Sequence, residues 1–129
     1  MLVRILRGKE QDAADYIELM DVREDFIRRV DVVAAPYDAL MMPTTPITAP
    51  RIDELKSDDA YRHANAAVLR NPSIANFLNR CSISIPCQSA GDAPVGLMLI
   101  GEHGADRRLP AIAAAMEKAV SPPALVVRH

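Results

Sequence analysis

Two threonines set between prolines, in the run DALMMPTTPITAP over residues 38–50, are the first side chains whose chemistry asks for an account. A hydroxyl on a stiff loop would suit a nucleophile, because the loop has few conformations to lose. It works as one only when a base within hydrogen-bond reach takes its proton and N–H donors await the oxyanion. The sequence around Thr44 and Thr45 offers neither, so both are expected to be loop residues. Ser82 and Ser84 are in the same position: no glycine or lysine flanks them.

Other groups give no stronger signal. His63, His103 and His129 form no H-x3-H or H-E-x-x-H pattern, so no metal site is expected. Cys81 and Cys87, spaced C-x5-C, match no zinc motif and no disulfide framework, and are expected to be buried thiols. Asp53–Glu54 and Asp58–Asp59 are placed to precede or cap a helix, where the dipole favours negative charge. Tyr16, Tyr37 and Tyr61 make no aromatic patch. The net charge is −2, and the pairs Arg28–Arg29 and Arg107–Arg108 suit solvated helix faces rather than a phosphate-binding stripe. No nucleic acid, metal or cofactor is therefore expected.

The elements that would position these groups follow from periodicity. Ile17, Met20, Ile27 and Val30 recur near a 3.6-residue period and predict a helix over 11–30, broadened by Leu19, Val22 and Phe26 and supported by a Glu24–Arg28 pair. Pro36 blocks its continuation. Asp38–Met42 predicts a short apolar strand, which Pro43 must end because it has no N–H for a ladder. Thr45 and Ala49 each precede a proline and are pushed to extended geometry. A second helix is predicted over 57–70, capped by Ser57 or Asp58 and broken by Pro72. A third, short one begins at Asn71 with Pro72 in its first position.

SISIPCQSA then alternates, with Ile83 and Ile85 facing one way and Ser82 and Ser84 the other. GDAP over 91–94 is a turn. VGLMLIG is apolar on both faces and predicts a central strand covered from both sides. The last helix is predicted from Asp106, as N-cap, to Val120. Its stripe is Leu109, Ile112, Ala113, Met116 and Val120, its first turn tolerates Pro110, and Pro122 and Pro123 end it.

About four helices and three strands define an α/β class, a layered mixed sheet with helices on it. A length of 129 residues predicts a single domain over 1–129, and a composition that is 50% hydrophobic supports a core. A strand apolar on both faces and several broad-faced helices ask for more cover than one such chain supplies. Exposed apolar surface and open strand edges predict a dimer or higher oligomer. No run approaches a membrane span and the apolar start is too short for a signal peptide, so the expected compartment is a reducing cytoplasm.

The run DALMMPTTPITAP, followed by NPSIANFLNRCSISIPCQSAGDAPVGLMLIGEHGADRRLPAIAAAMEKA, resembles the C-terminal part of the amidase-signature family. That family comprises amide-bond hydrolases and amidotransferase A subunits. Upstream, RILRGKEQDAADYIELMDVREDF is similar to the family's RIxxGxxxxAxDYxxxxxxRxxF helix. Each piece is moderately specific. Their shared order and spacing over roughly residues 3–120 carry the resemblance. It implies the family's α/β/α fold and amide hydrolysis by a Ser nucleophile, a second Ser on a cis peptide and a Lys, set in a Gly-Ser-rich signature.

The five glycines here, Gly8, Gly91, Gly96, Gly101 and Gly104, flank no serine pair, and Lys9, Lys56 and Lys118 stand in no such context. The resemblance therefore implies a C-terminal portion that lacks the triad and is inactive alone. Its partner would be the missing N-terminal amidase portion, or itself. Two alternatives stand beside this reading: a split enzyme, in which this chain completes an amidase in trans, and a non-catalytic scaffold that keeps the fold. By the resemblance, Ala66, Leu69 and Ser73 lie on the substrate side of the pocket. Some relatives hold an acidic residue at the position of Leu69 to bind an amino group. Leu69 cannot do this, so an amide less polar than glutamine, or differently anchored, is implied; the alternative is that Leu69 is plain helix core.

Overall fold

A computed structural model describes residues 6, 8–89 and 91–120, which fall into two compact units, Met1–Ala35 and Pro36–His129. The expected helix stop at Pro122–Pro123, and His129, lie outside the described residues.

In the first unit a 3-10 turn, Gly8–Glu10, leads into helix α1, Ala13–Ala34. Asp12 caps it: its carboxylate accepts from the Asp15 N–H at 2.9 Å, and the Asp15 carboxylate accepts from the Asp12 N–H at 3.0 Å. Two otherwise orphaned donors are thereby satisfied reciprocally. The helix runs past the expected Val30 and stops just before Pro36. Arg28 pairs with Asp25 at 3.5 Å instead of the expected Glu24, and Arg29 reaches the same carboxylate at 3.7 Å. These pairs are exposed and add little stability.

The second unit is built on a three-stranded sheet of order β1-β3-β2, with β1 Leu40–Pro43, β2 Ser82–Pro86 and β3 Gly96–Ile100. β1 ends at Pro43, where the strand was expected to stop, although the Thr44 N–H just beyond it still bonds β3. β3 is central, as its two apolar faces predict. It pairs Leu40 with Ile100 and Pro43 with Leu97 on one side, and Ser82 with Ile100 and Pro86 with Gly96 on the other. Both pairings are antiparallel, so the described strands form an antiparallel sheet where a mixed one was expected. An apolar run marks a buried strand but carries no sign of its direction.

Helices cover both faces. Helix α2, Asp58–Phe77, lays Ala75 against Met98 and Ile100, with Leu40 and Met42 alongside. Helix α3, Leu109–Val120, lays Leu109 and Ala113 against Ile85 and Leu99, with Ile112, Met116 and Val120 around them. Leu99 and Ile100 are the largest fully buried side chains. Each contributes roughly 1.5–3 kcal/mol by leaving water.

The class is α/β as expected, but the helix count differs: the two helices predicted on either side of Pro72 are one, α2. Pro72 costs a rung of the ladder, yet Asn71, Ala75 and Leu78 are buried at helical spacing on either side of it. Packing on the sheet therefore outweighs the local cost. Ser57 caps α2 by accepting from the Ala60 N–H at 3.1 Å. Asp106 does not cap α3. It lies in a turn, and the Arg108 and Leu109 N–H groups both bond the Ala105 carbonyl. Cys81 and Cys87 are half-buried rather than buried.

Candidate functional site

β1 leads directly into the proline-framed loop. The Thr44 N–H donates to the Gly96 carbonyl at 2.8 Å, extending the ladder by one residue. The hydroxyls of Thr44 and Ser84 face each other at 2.5 Å, although 40 positions separate them in sequence. Gly96 lies beneath the pair. A Cβ there would stand 2.6 Å from both hydroxyl oxygens, closer than real contacts allow. Glycine is thus the side chain that admits this pair.

The loop is also held from the helix. Asn71, only 6% exposed, donates from Nδ2 to the Pro43 carbonyl at 2.7 Å, while Arg70 Nε donates to its Oδ1 at 3.3 Å. Thr45 turns inward on its own loop, its hydroxyl donating to the Ile47 carbonyl at 2.9 Å. Among the described residues no histidine, lysine or carboxylate bonds the hydroxyl of Thr44, Thr45 or Ser84. These hydroxyls fasten and shape the loop through their bonds to each other and to the Ile47 carbonyl.

The sheet face that carries the pair is only half covered. Residues opposite each other in an antiparallel pair share a face, so Ser82 and Ser84 lie on the same face as Ile100 and Met98. α2 covers Met98 and Ile100, while Ser82, Ser84 and Pro86 remain exposed.

Ala66, Leu69 and Ser73 all sit on α2, spaced by three and four residues, and therefore share one face of it. All three are exposed. Leu69 is 41% exposed, so in this unit it is not core. The buried stripe, Asn71, Ala75 and Leu78, runs down a different side of the helix.

The remaining sequence candidates are scattered. His63 Nδ1 donates to the Asp59 carbonyl at 2.9 Å within α2, and His103 Nδ1 donates to the Asn79 carbonyl at 2.8 Å. His103, Asn79, Cys81 and Asp106 border a hollow of about 330 Å³ at the C-terminal end of α2. Asn79 adopts φ 55° and ends the helix: its N–H bonds the Asn76 carbonyl, and the Arg80 N–H reaches back to the Ala75 carbonyl. This is the left-handed cap usually made by glycine. Cys81 Sγ donates to the Glu102 carbonyl at 3.2 Å. Tyr16, Tyr37 and Tyr61 are exposed. Among the described residues no group of three His, Cys, Asp or Glu side chains is placed to hold a metal ion, and no helix is long and apolar enough to cross a membrane. Sequence reasoning missed the Thr44–Ser84 pair and the Asn71 anchor, since both are long-range contacts.

A central apolar strand flanked by a proline-ended strand and a serine-bearing one, with helices on both faces, is the arrangement expected of an amidase-type fold, and comparison with known proteins agrees. The model of the amidase family matches residues 1–109, and the chain belongs to that family. The A subunit of the glutamyl-tRNA(Gln) amidotransferase of Thermotoga maritima is 32% identical over 120 residues, covering 89% of this chain and 24% of that protein. The 2-amino-5-chloromuconic acid deaminase of Comamonas testosteroni is 36% identical over 81 residues, 62% of this chain and 18% of that one. The crystal structure of the same Thermotoga maritima amidotransferase protein superposes with a TM-score of 0.64 at 33% identity, covering 92% of this chain and 26% of that chain. The chain thus spans between 18% and 26% of the length of these relatives.

Proposed function

We propose that residues 1–129 act as a single domain, the C-terminal portion of an amidase-signature amidohydrolase that cleaves carbon–nitrogen amide bonds. In this reading the chain builds a wall of the substrate pocket and is inactive alone. The observation that supports it is the lopsided match: 89% of this chain aligns with 24% of the Thermotoga maritima protein. The residues agree, because the Thr44 and Ser84 hydroxyls bond each other rather than a base.

The partner is the N-terminal amidase portion that would bring the Ser–cis-Ser–Lys triad, meeting this one in the cytoplasm; a second copy of this chain is the other way to cover the open faces. Ala66, Leu69 and Ser73 line the substrate side, consistent with their common exposed face on α2. Leu69 has no carboxylate to hold an amino group, which favours an amide less polar than glutamine or differently anchored.

The purified chain should turn over no amide or ester and take up no serine-directed phosphonate. Stoichiometric labelling would sink the reading. Mixing it with a separately made N-terminal portion of an amidase should then produce turnover. Activity in that mixture favours assembly in trans, whereas none at saturating ratios favours the scaffold alternative.

A further inference from the structure

We propose that α1 is a dimerisation element, which pairs antiparallel with α1 of a second copy of this chain about an axis at Val22. This gives the second-copy alternative above a surface and a register, and it does not need the chain to be inactive alone. Asp15, Leu19, Val22, Phe26, Arg29 and Val33 follow one another at alternating steps of four and three residues. That rhythm sets them in one row along the helix and is the seam of a two-helix pair. Leu19, Val22, Phe26 and Val33 are 50%, 60%, 41% and 72% exposed, and an exposed apolar row marks an interaction surface.

The charges in the row choose the occupant and its direction. Asp15 and Arg29 each lie seven positions from Val22, one acidic and one basic. An antiparallel pair with its twofold axis at Val22 therefore sets Asp15 opposite Arg29 of the second copy, once on each side of the axis. Between them Leu19 meets Phe26 of the second copy. A parallel pair would set Asp15 against Asp15 and Arg29 against Arg29, and like charges repel. The row is thus complementary to itself, as a twofold contact between identical surfaces requires. Both charges can take this partner and keep their own bonds. The Asp15 carboxylate accepts the Asp12 N–H and has lone pairs for another donor. Arg29 reaches Asp25 at 3.7 Å with 70% of its side chain exposed, and its guanidinium stands 5.7 Å over the Phe26 ring, beside the seam.

The test is sedimentation equilibrium of the full chain, with helicity followed by circular dichroism. The chain should dimerise with a dissociation constant of about 1–100 µM, as a small interface gives. Val22→Glu sets two carboxylates against each other at the axis and should weaken the dimer by about tenfold or more. Ile17→Glu is the control: Ile17 is 61% exposed but lies on the opposite side of the helix, so the dimer should hold within about twofold. Asp15→Lys and Arg29→Glu should each weaken it by about three- to tenfold. The double variant Asp15→Lys/Arg29→Glu should recover most of the loss, because the swapped charges again face their opposites. Recovery also shows that the loss in the single variants is not unfolding. A monomer at about 100 µM overturns the proposal and leaves the row to the N-terminal amidase portion. Equal loss in Val22→Glu and Ile17→Glu, or no recovery in the double variant, overturns it as well. Turnover by the chain alone would instead overturn the inactive-portion reading and leave this pairing standing.

Discussion

The side-chain amide of Asn71 donates to the main-chain carbonyl of Pro43 at 2.7 Å, joining the middle of α2 to the end of β1 across 28 positions of sequence. This buried bond is the point at which the helix bearing Ala66, Leu69 and Ser73 is tied to the loop bearing Thr44.

Replacing Asn71 with Ala should therefore leave the Pro43 carbonyl without its donor. The expected loss is about 1–3 kcal/mol, seen as a lower urea midpoint at unchanged slope. Asn71→Asp should cost at least as much at neutral pH, since a carboxylate would meet a carbonyl oxygen. A midpoint unmoved by either change would mean that the bond does not hold the loop.

Gly96→Ala should be destabilising by about 1–3 kcal/mol, because its methyl group would lie 2.6 Å from two hydroxyl oxygens. Combining it with Ser84→Ala removes one of those oxygens. The double variant should then be more stable than the sum of the singles predicts. Strict additivity in a double-mutant cycle would show that Ser84 and Gly96 do not meet.

Leu69→Asp should change stability by no more than about 0.5 kcal/mol, as an exposed substitution does. A core leucine would cost about 2–5 kcal/mol even when cut to alanine. Thermal melts of this one variant therefore separate the pocket-lining reading of Leu69 from the helix-core one. In an assembled enzyme the same change should alter kcat/KM across a panel of amides, and an unchanged panel would remove Leu69 from the pocket.

Asn79→Ala should destabilise the unit by about 1 kcal/mol, since a side chain that cannot bond locally is strained at φ 55°. Asn79→Gly should be neutral or slightly stabilising. The His103 bond goes to the Asn79 carbonyl and survives both changes, so the difference between the variants reports the backbone alone. Equal midpoints would indicate that the cap is not left-handed in solution.

Much of the second unit was legible because its signals are local. The strand 96–100 is apolar at every side-chain position and is the central one; Pro43 ends β1; Ile83 and Ile85 alternate with exposed serines. The stripe Leu109, Ile112, Ala113, Met116 and Val120 faces the sheet as its spacing requires. The errors lie where tertiary packing overrules a local rule. Pro72 is a helix breaker by type, but burial of Asn71, Ala75 and Leu78 carries α2 through it. Asp106 is a good cap by type, but the turn bonded to Ala105 delays α3 to Leu109. The site was harder still. The hydroxyl pair and the Asn71 anchor join residues 40 and 28 positions apart, and no pattern in a single segment announces such a meeting.

The proline inside α2 has a kinetic consequence. Pro72 has no N–H, so the carbonyl of Val68 receives no helical bond from it and the ladder has a missing rung there. Beyond that gap Ala75 and Leu78 are buried, whereas Ala66 and Leu69 before it are exposed. In hydrogen–deuterium exchange the amides from Tyr61 to Arg70 should open as one fast cluster, and those of Asn71 and of Ala75 to Leu78 should exchange only when the sheet itself comes apart. The helix thus melts in two stages, and the stage that yields first carries Ala66 and Leu69.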